Sequence, residues 1–120
     1  MIEKPPFDIC ERTFQYSLRI VKFSQWLDQQ GGVARTLSKQ LLRSGTSIGA
    51  NVEEGQAAQS RADFASKYSI ARKQARETRY WLRILSASGV ANNGQVGELL
   101  AETDELVRIL TAIIKKTRKD

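Results

Sequence analysis

Residues 47–55 read "SIGANVEEG" and lie inside a segment whose apolar residues otherwise follow helical spacing. The two glycines of this stretch each cost about 1 kcal/mol of helix propensity relative to alanine. Small residues let a neighbouring helix backbone approach closely, whereas the polar Ser47, Asn51 and Glu54 need partners if they are buried. The stretch therefore marks either a tight helix–helix contact with an internal polar network, or a ligand or catalytic site.

Outward from this stretch, turn signals divide the chain into four helical segments. Glycines cluster at residues 29–33 and 88–95, and a softer break occurs at 54–60. Apolar residues recur at alternating spacings of four and three, and no segment shows a sustained period of two. The sequence predicts an all-α, antiparallel, up-down-up-down four-helix bundle that forms a single domain over residues 1–120. The predicted helices span about 8–30, 34–56, 61–88 and 95–118.

The composition excludes several classes of protein function. The 120 residues include no histidine and a single cysteine, which removes internal disulfides, histidine-assisted nucleophiles and most zinc sites. No apolar run has the length of a signal peptide or the roughly 20 residues needed to cross a bilayer. We therefore expect a cytoplasmic protein that is not an enzyme, holds no cofactor or metal, and does not enter a membrane.

In the second segment, polar residues form a line beside the stripe of apolar core residues. Polar side chains at such positions need hydrogen-bond partners on a neighbouring helix. In the third segment, Glu77 lies in the middle of a partly apolar stripe, and we predict that it bonds Arg43, Ser47 or Asn51. The alternative makes Glu54 and Glu77 the acid–base pair of a carboxylate-based enzyme. No nucleophile, histidine or phosphate loop accompanies these acids, so we favour a structural polar lock. Its predicted members are Arg43, Ser47, Asn51, Glu54 and Glu77.

The stretches "LSKQLLRSGTSIGANVEEG" (37–55) and "DFASKYSIARKQARETRYWL" (63–82) resemble a bacterial four-helix-bundle family. Members of that family were first noted as proteins encoded in 23S rRNA intervening sequences. Val52 replaces the isoleucine of the pattern, "QQGGV" replaces a Phe-Pro at the first turn, and "ARKQARE" is more basic than the pattern. The matching residues are Gln40, Leu41, Arg43, Ser44, Ser47, Ile48, Ala50, Asn51, Glu54, Gly55, Phe64, Ile70, Ala71 and Glu77.

This resemblance implies a bundle that assembles as a ring-like homo-oligomer, commonly a pentamer. The chain is also similar to the accessory protein of diversity-generating retroelements, a basic pentamer that binds nucleic acid and a reverse transcriptase. Most members of the family have no established activity. The resemblance therefore predicts the fold more closely than the function.

Basic residues recur on three helices, and the net charge is +6. Arg72, Arg76, Arg79 and Arg83 have spacings of four, three and four, and we call them the arginine ridge. Rows of guanidinium groups on a rigid helix suit phosphate oxygens. The alternative is a solvated face, or pairing with the acids of the fourth helix, which are Glu98, Glu102 and Glu105. The candidates for nucleic-acid contact are Arg72, Arg76, Arg79, Arg83, Arg35, Lys39, Lys115, Lys116, Arg118 and Lys119.

A second apolar stripe on the fourth helix consists of Leu100, Val107 and Ile114. It indicates either a wide buried arc or a subunit interface. Together the patterns favour a homo-oligomeric bundle that associates with RNA or DNA through basic helix faces, without strong sequence specificity. The alternative is a protein-interaction scaffold or accessory subunit, with a partner such as a reverse transcriptase and only incidental affinity for polyanions.

Overall fold

The computed structural model describes residues 8–91 and 94–119, which form four α-helices. The described residues contain no strand, so the prediction of an all-α four-helix bundle is confirmed. The largest difference from the predicted helix ends is at the second helix, which begins at Gly32 instead of residue 34. The helices are α1 (Ile9–Gln30), α2 (Gly32–Gln56), α3 (Arg61–Ala87) and α4 (Gly94–Lys119).

Local chemistry explains where the helices begin and end. The Asp8 carboxylate caps α1 by accepting from the Cys10 backbone N–H at 3.0 Å, and the Ser60 hydroxyl caps α3 in the same way. Gly31 and Gly32 have φ angles of 73° and 54°, in the left-handed region that glycine adopts at little cost. These two glycines reverse the chain within one residue, which explains why α2 begins earlier than predicted.

Helices that follow each other in sequence also pack against each other, whereas α1 and α4 approach less closely. Long side chains bridge this wider gap: the Tyr16 and Thr103 hydroxyls are 2.5 Å apart, and Arg12 binds Glu102 at 2.7 Å. The faces formed by α1–α2 and by α3–α4 therefore lie on opposite sides of the bundle. The largest fully buried side chains include Tyr16, Tyr68, Phe23, Leu41, Leu82 and Leu106.

The glycines of α2 allow close helix contacts. A Cβ atom placed on Gly45 would lie 2.8 Å from Ile20 Cγ2 of α1. A Cβ atom on Gly55 would lie 2.5 Å from Tyr68 Cε1 of α3. Separations below 3.0 Å leave no room for a side chain without movement of the neighbour. Gly45 and Gly55 therefore serve packing of α2 against both neighbouring helices.

The second apolar stripe of α4 belongs to the wide buried arc of the bundle. Ile114 is 1% exposed and part of the core, and Leu100 and Val107 are half-buried against it. Val107 lines a depression together with Arg76 and Arg79, so the stripe is turned towards α3. The prediction of an interface role is wrong for Ile114, because the single chain already buries its side chain.

Candidate nucleic-acid interface

The predicted polar lock forms between α2 and α3, with Glu77 at its centre. The Glu77 carboxylate accepts hydrogen bonds from the Arg43 guanidinium and from the Trp81 indole N–H, the latter at 3.1 Å. Ser47 and Asn51 instead donate to backbone carbonyls of their own helix, at 2.6 and 2.8 Å. Of the three partners left open by the sequence, Glu77 therefore bonds Arg43, and Trp81 is a partner that the sequence reasoning missed.

A second polar contact between α2 and α3 lies deeper in the core. The Thr78 hydroxyl donates to the Ser44 hydroxyl at 3.0 Å, and both residues have no exposed surface. From the sequence, Ser44 was identified only as a residue that matches the family pattern, and this contact was missed. The available signal was a threonine within the apolar seam of α3, where a hydroxyl needs a partner.

The structure does not bring together the carboxylates of the alternative acid–base pair. Glu54 binds Lys67 at 3.2 Å, whereas Glu77 binds Arg43. Arg43 and Glu54 are eleven residues apart on α2, which corresponds to about 16 Å along the helix axis. Two carboxylates at such a separation do not serve one reacting group as acid and base.

We expect Glu77→Ala to lower the free energy of unfolding by about 1 kcal/mol, because it strands the Trp81 N–H and the Arg43 cation. Glu77→Gln should cost less, since its amide oxygen still accepts from Trp81. Chemical denaturation of a double-mutant cycle measures the coupling between Glu77 and Arg43, with Glu77 and Asn51 as the control pair. Coupling to Asn51 without coupling to Arg43 would contradict the observed bonding.

Two of the four arginines of the arginine ridge bind residues of α4, and the other two have no ion-pair partner among the described residues. Arg79 Nε binds Asp104 at 2.6 Å, and Arg72 Nη1 donates to the Thr111 hydroxyl at 3.4 Å. Arg76 and Arg83 are exposed and have no ion-pair partner within residues 8–91 and 94–119. Two guanidinium groups of the ridge therefore remain available to an external anion, and Arg79 is held in place between α3 and α4.

In the alternative interpretation of the ridge, acids of α4 pair with it, but the three acids named for this role have other partners. In the described part of the chain Asp104, which the prediction omitted, is the acid that reaches the ridge. A hydrogen bond from Arg108 lowers the pKa of the Glu105 carboxyl. The three predicted acids bind as follows: Glu98 to Arg19 at 3.7 Å, Glu102 to Arg12 at 2.7 Å, and Glu105 to Arg108.

The remaining basic candidates differ in their surroundings. Arg35 binds Asp28 at 3.4 Å, and Lys39 is exposed beside a shallow depression between α1 and α2. Lys115, Lys116 and Arg118 are exposed on the last turns of α4. The side chain of Lys119 lies outside the described residues. The free cations of α4 therefore lie at the end of the bundle where α3 begins.

At that end, α3 and α4 enclose an open groove of about 830 Å³. Its cationic lining residues, Arg61, Lys73 and Arg118, are exposed and have no ion-pair partner in the described part of the chain. The floor contains small side chains such as Ala65, and the Ser69 hydroxyl there is buried without a hydrogen-bond partner. Sequence reasoning missed Arg61 and Lys73, because they lie outside the ridge spacing.

We call these exposed, unpaired cations the cationic face. It consists of Arg61, Lys73, Arg76, Arg83 and Arg118. Four of these residues are on α3 and one is near the end of α4. Such a surface can bind oxyanions through charge-assisted hydrogen bonds. The described residues contain no group of three or more metal-ligating side chains, and none of their helices is long and apolar enough to span a membrane.

The fold and this surface define a small, all-helical bundle with a cationic face. The family model described as 23S rRNA-intervening sequence protein matches residues 6–112, and the chain belongs to this family. A crystal structure of a protein of unknown function from the S23 ribosomal protein family of Bacteroides thetaiotaomicron is similar, with 40% identity and a TM-score of 0.82. The match covers 89% of this chain and 98% of that one. The curated proteins gave no significant match.

Proposed function

We propose that this protein is a non-enzymatic, homo-oligomeric bundle that binds RNA or DNA through the cationic face, without strong sequence specificity. The observation that carries the proposal is the concentration of exposed, unpaired cations on α3 and the end of α4. The phosphate backbone dominates nucleic-acid affinity, and cations on a rigid helix neutralise it.

Weak specificity follows from the kind of contacts that this surface offers. Sequence is read through hydrogen bonds to base edges, from side chains that enter a groove in a fixed order. The cationic face instead presents isolated guanidinium and ammonium groups on the outside of α3 and α4. These groups suit phosphate oxygens, which are the same in every sequence.

Self-association is the second part of the proposal, and an exposed apolar stripe supports it. The stripe lies on the α1–α2 face, opposite the cationic face. Contiguous apolar surface of this kind marks interaction sites. Its members are Phe14, Leu18, Val21 and Leu42, with exposed fractions of 54%, 43%, 36% and 40%. We propose that this stripe contacts a second copy, and that closed symmetry gives a ring, with five subunits as the family resemblance implies.

We expect Leu18→Glu to reduce the mass of the assembly, because a buried unpaired carboxylate destabilises an apolar interface. Val33→Glu is the matched control, because Val33 is even more exposed, at 64%, and lies outside the stripe. Multi-angle light scattering at micromolar concentration measures both variants and the parent. A monomeric parent, or equal dissociation by both variants, would rule out this interface.

We expect Arg76→Gln combined with Arg83→Gln to weaken single-strand binding about 25-fold at 0.1 M salt, if one subunit engages the strand. The log–log salt slope should become shallower by about 1.4, since each lost contact removes about 0.7. Fluorescence anisotropy over a salt series measures both quantities. The control is Arg19→Gln with Lys22→Gln, which removes the same charge from α1. If both double variants bind as the parent does, nucleic-acid binding through the cationic face is wrong.

The alternative function, a protein-interaction scaffold or accessory subunit, uses the same surfaces differently. The apolar α1–α2 stripe would then contact a different protein, and the cationic face would serve only solubility. This alternative is favoured if the parent binds nucleic acid weakly and both double variants, on α3 and on α1, lose the same amount of affinity. Such a result would show that binding depends on net charge alone.

A further inference from the structure

An exposed aromatic side chain interrupts the cationic face on α3. Tyr80 is 55% exposed, and it follows Arg76 by four residues and precedes Arg83 by three. Residues three and four apart are neighbours on a helix surface, so the phenol ring lies between two unpaired guanidinium groups. Lys73 continues the same line one helical turn below Arg76. An exposed aromatic ring flanked by free cations is the arrangement with which proteins hold unpaired nucleotides.

The polar lock supports the position of this ring. The rings of Tyr80 and Trp81 meet edge to face, with centroids 5.3 Å apart and an interplanar angle of 67°. The Trp81 indole in turn donates to Glu77, which is bound to Arg43 of α2. The aromatic pair is therefore anchored to the contact between α2 and α3. A ring with restricted motion loses less conformational entropy when a ligand stacks on it.

We propose that Tyr80 stacks on an unpaired base while Arg76 and Arg83 bind the phosphates on either side, so that the protein prefers single-stranded nucleic acid to duplex. This inference rests on the proposed function and specifies the form of its ligand. In a duplex the faces of the bases are covered by their neighbours, so Tyr80 gains nothing from double-stranded DNA or RNA. The positive charge of Arg76 and Arg83 selects a polyanion over a neutral aromatic ligand.

The groove at the end of the bundle continues this path. Tyr80 and Ser69 are eleven residues apart on α3, a separation of about 16 Å along the axis, with Lys73 between them. The groove has room for a further nucleotide, and its exposed cations Arg61 and Lys73 can bind the phosphates there. Arg118 of α4 borders the same groove. A strand of several nucleotides can thus follow the outer side of α3.

The test compares Tyr80→Leu with Tyr80→Phe, because both are apolar but only phenylalanine keeps a ring. Anisotropy measures their binding to labelled oligothymidylate and to a mixed-sequence duplex of equal length. We expect Tyr80→Leu to weaken single-strand binding fivefold or more, Tyr80→Phe to bind as the parent does, and duplex binding to stay unchanged in both. Circular dichroism serves as the control for folding. Both variants should fold as the parent does, because the Tyr80 side chain is largely exposed.

The outcomes separate the inference from the proposed function. If the parent binds both nucleic acids but Tyr80→Leu and Tyr80→Phe bind single strands equally, the stacking proposal fails and the proposed function stands. The same holds if the parent prefers the duplex. If polyglutamate of equal charge competes as well as oligothymidylate, the surface accepts any polyanion and the stacking proposal fails. If the parent binds no nucleic acid, both proposals fail.

Discussion

Gly55→Ala is expected to lower the free energy of unfolding by up to about 2 kcal/mol, although alanine is the better helix former. The new Cβ atom would lie 2.5 and 2.8 Å from two atoms of the Tyr68 ring. That ring is 1% exposed and stacks on Phe64 with centroids 4.2 Å apart, so it cannot move away freely. Overpacking of a core costs typically about 1–3 kcal/mol, and the gain of about 1 kcal/mol in helix propensity offsets only part of a cost in the upper half of that range.

Gly97→Ala is the matched control for this change. Gly97 is also helical, in α4, and no atom lies within 4 Å of the position of an added Cβ. Alanine there should stabilise the protein by about 0.5–1 kcal/mol, since only helix propensity changes. Urea denaturation of the two variants should therefore shift in opposite directions. Equal stabilisation by both would show that α2 and α3 do not require a glycine at this contact.

The second large effect is a loss of stability at alkaline pH. Burial raises the pKa of Tyr68 to about 12 and raises the pKa of Tyr16 as well. A pKa above the ordinary value of 10.0 means that the folded state retains protons that the unfolded state releases. This contribution to stability is complete below pH 10 and disappears as the pH rises towards the folded pKa. At about 1.4 kcal/mol for each unit of pKa difference, and reduced by solvent screening around the half-buried hydroxyl, Tyr68 contributes on the order of 1 kcal/mol.

Urea denaturation at a series of pH values from about 8 to 12 measures this loss, with tyrosinate absorbance as a second signal. Tyr68→Phe is the informative variant, because it removes the ionisable group and keeps the ring. Its free energy of unfolding should fall less steeply above pH 10 than that of the parent. An identical fall in the parent and the variant would show that other groups cause the alkaline loss.

The sequence alone was sufficient to predict the four helices and the close packing of α2 against its neighbours. Apolar spacing and glycine clusters located the helix ends to within two residues, α2 showing the largest difference. The glycines predicted close packing, and Gly45 and Gly55 do face Ile20 and Tyr68. These features depend on local propensity and on periodicity, which a single sequence displays directly.

The pairing of charged side chains could not be predicted to the same degree. It depends on the relative rotation and axial shift of neighbouring helices, which the apolar pattern fixes only approximately. Asp104, and not the regularly spaced glutamates, meets Arg79, and the glutamates Glu98 and Glu102 turn towards α1. The free cations could be recognised only after these pairs were known.

The rotation of α4 about its own axis also explains which residues of its second apolar stripe are buried. A displacement of one position along the helix changes the direction of a side chain by about 100°, so small differences decide burial. Ile114 is turned into the core, whereas its neighbour Ile113 is only partly buried. The exposed apolar surface is instead on α1–α2, around Phe14 and Leu18.

Photocrosslinking tests the central claim, that nucleic acid binds along α3 and the end of α4, most directly. A single strand carrying 4-thiouridine at several positions is bound, irradiated and digested, and mass spectrometry locates the attached peptides. We predict crosslinks between residues 61 and 83 of α3 and near Arg118, and their loss when Arg76 and Arg83 are replaced by glutamine. Crosslinks concentrated on the α1–α2 stripe around Phe14, and unchanged in that variant, would contradict this account.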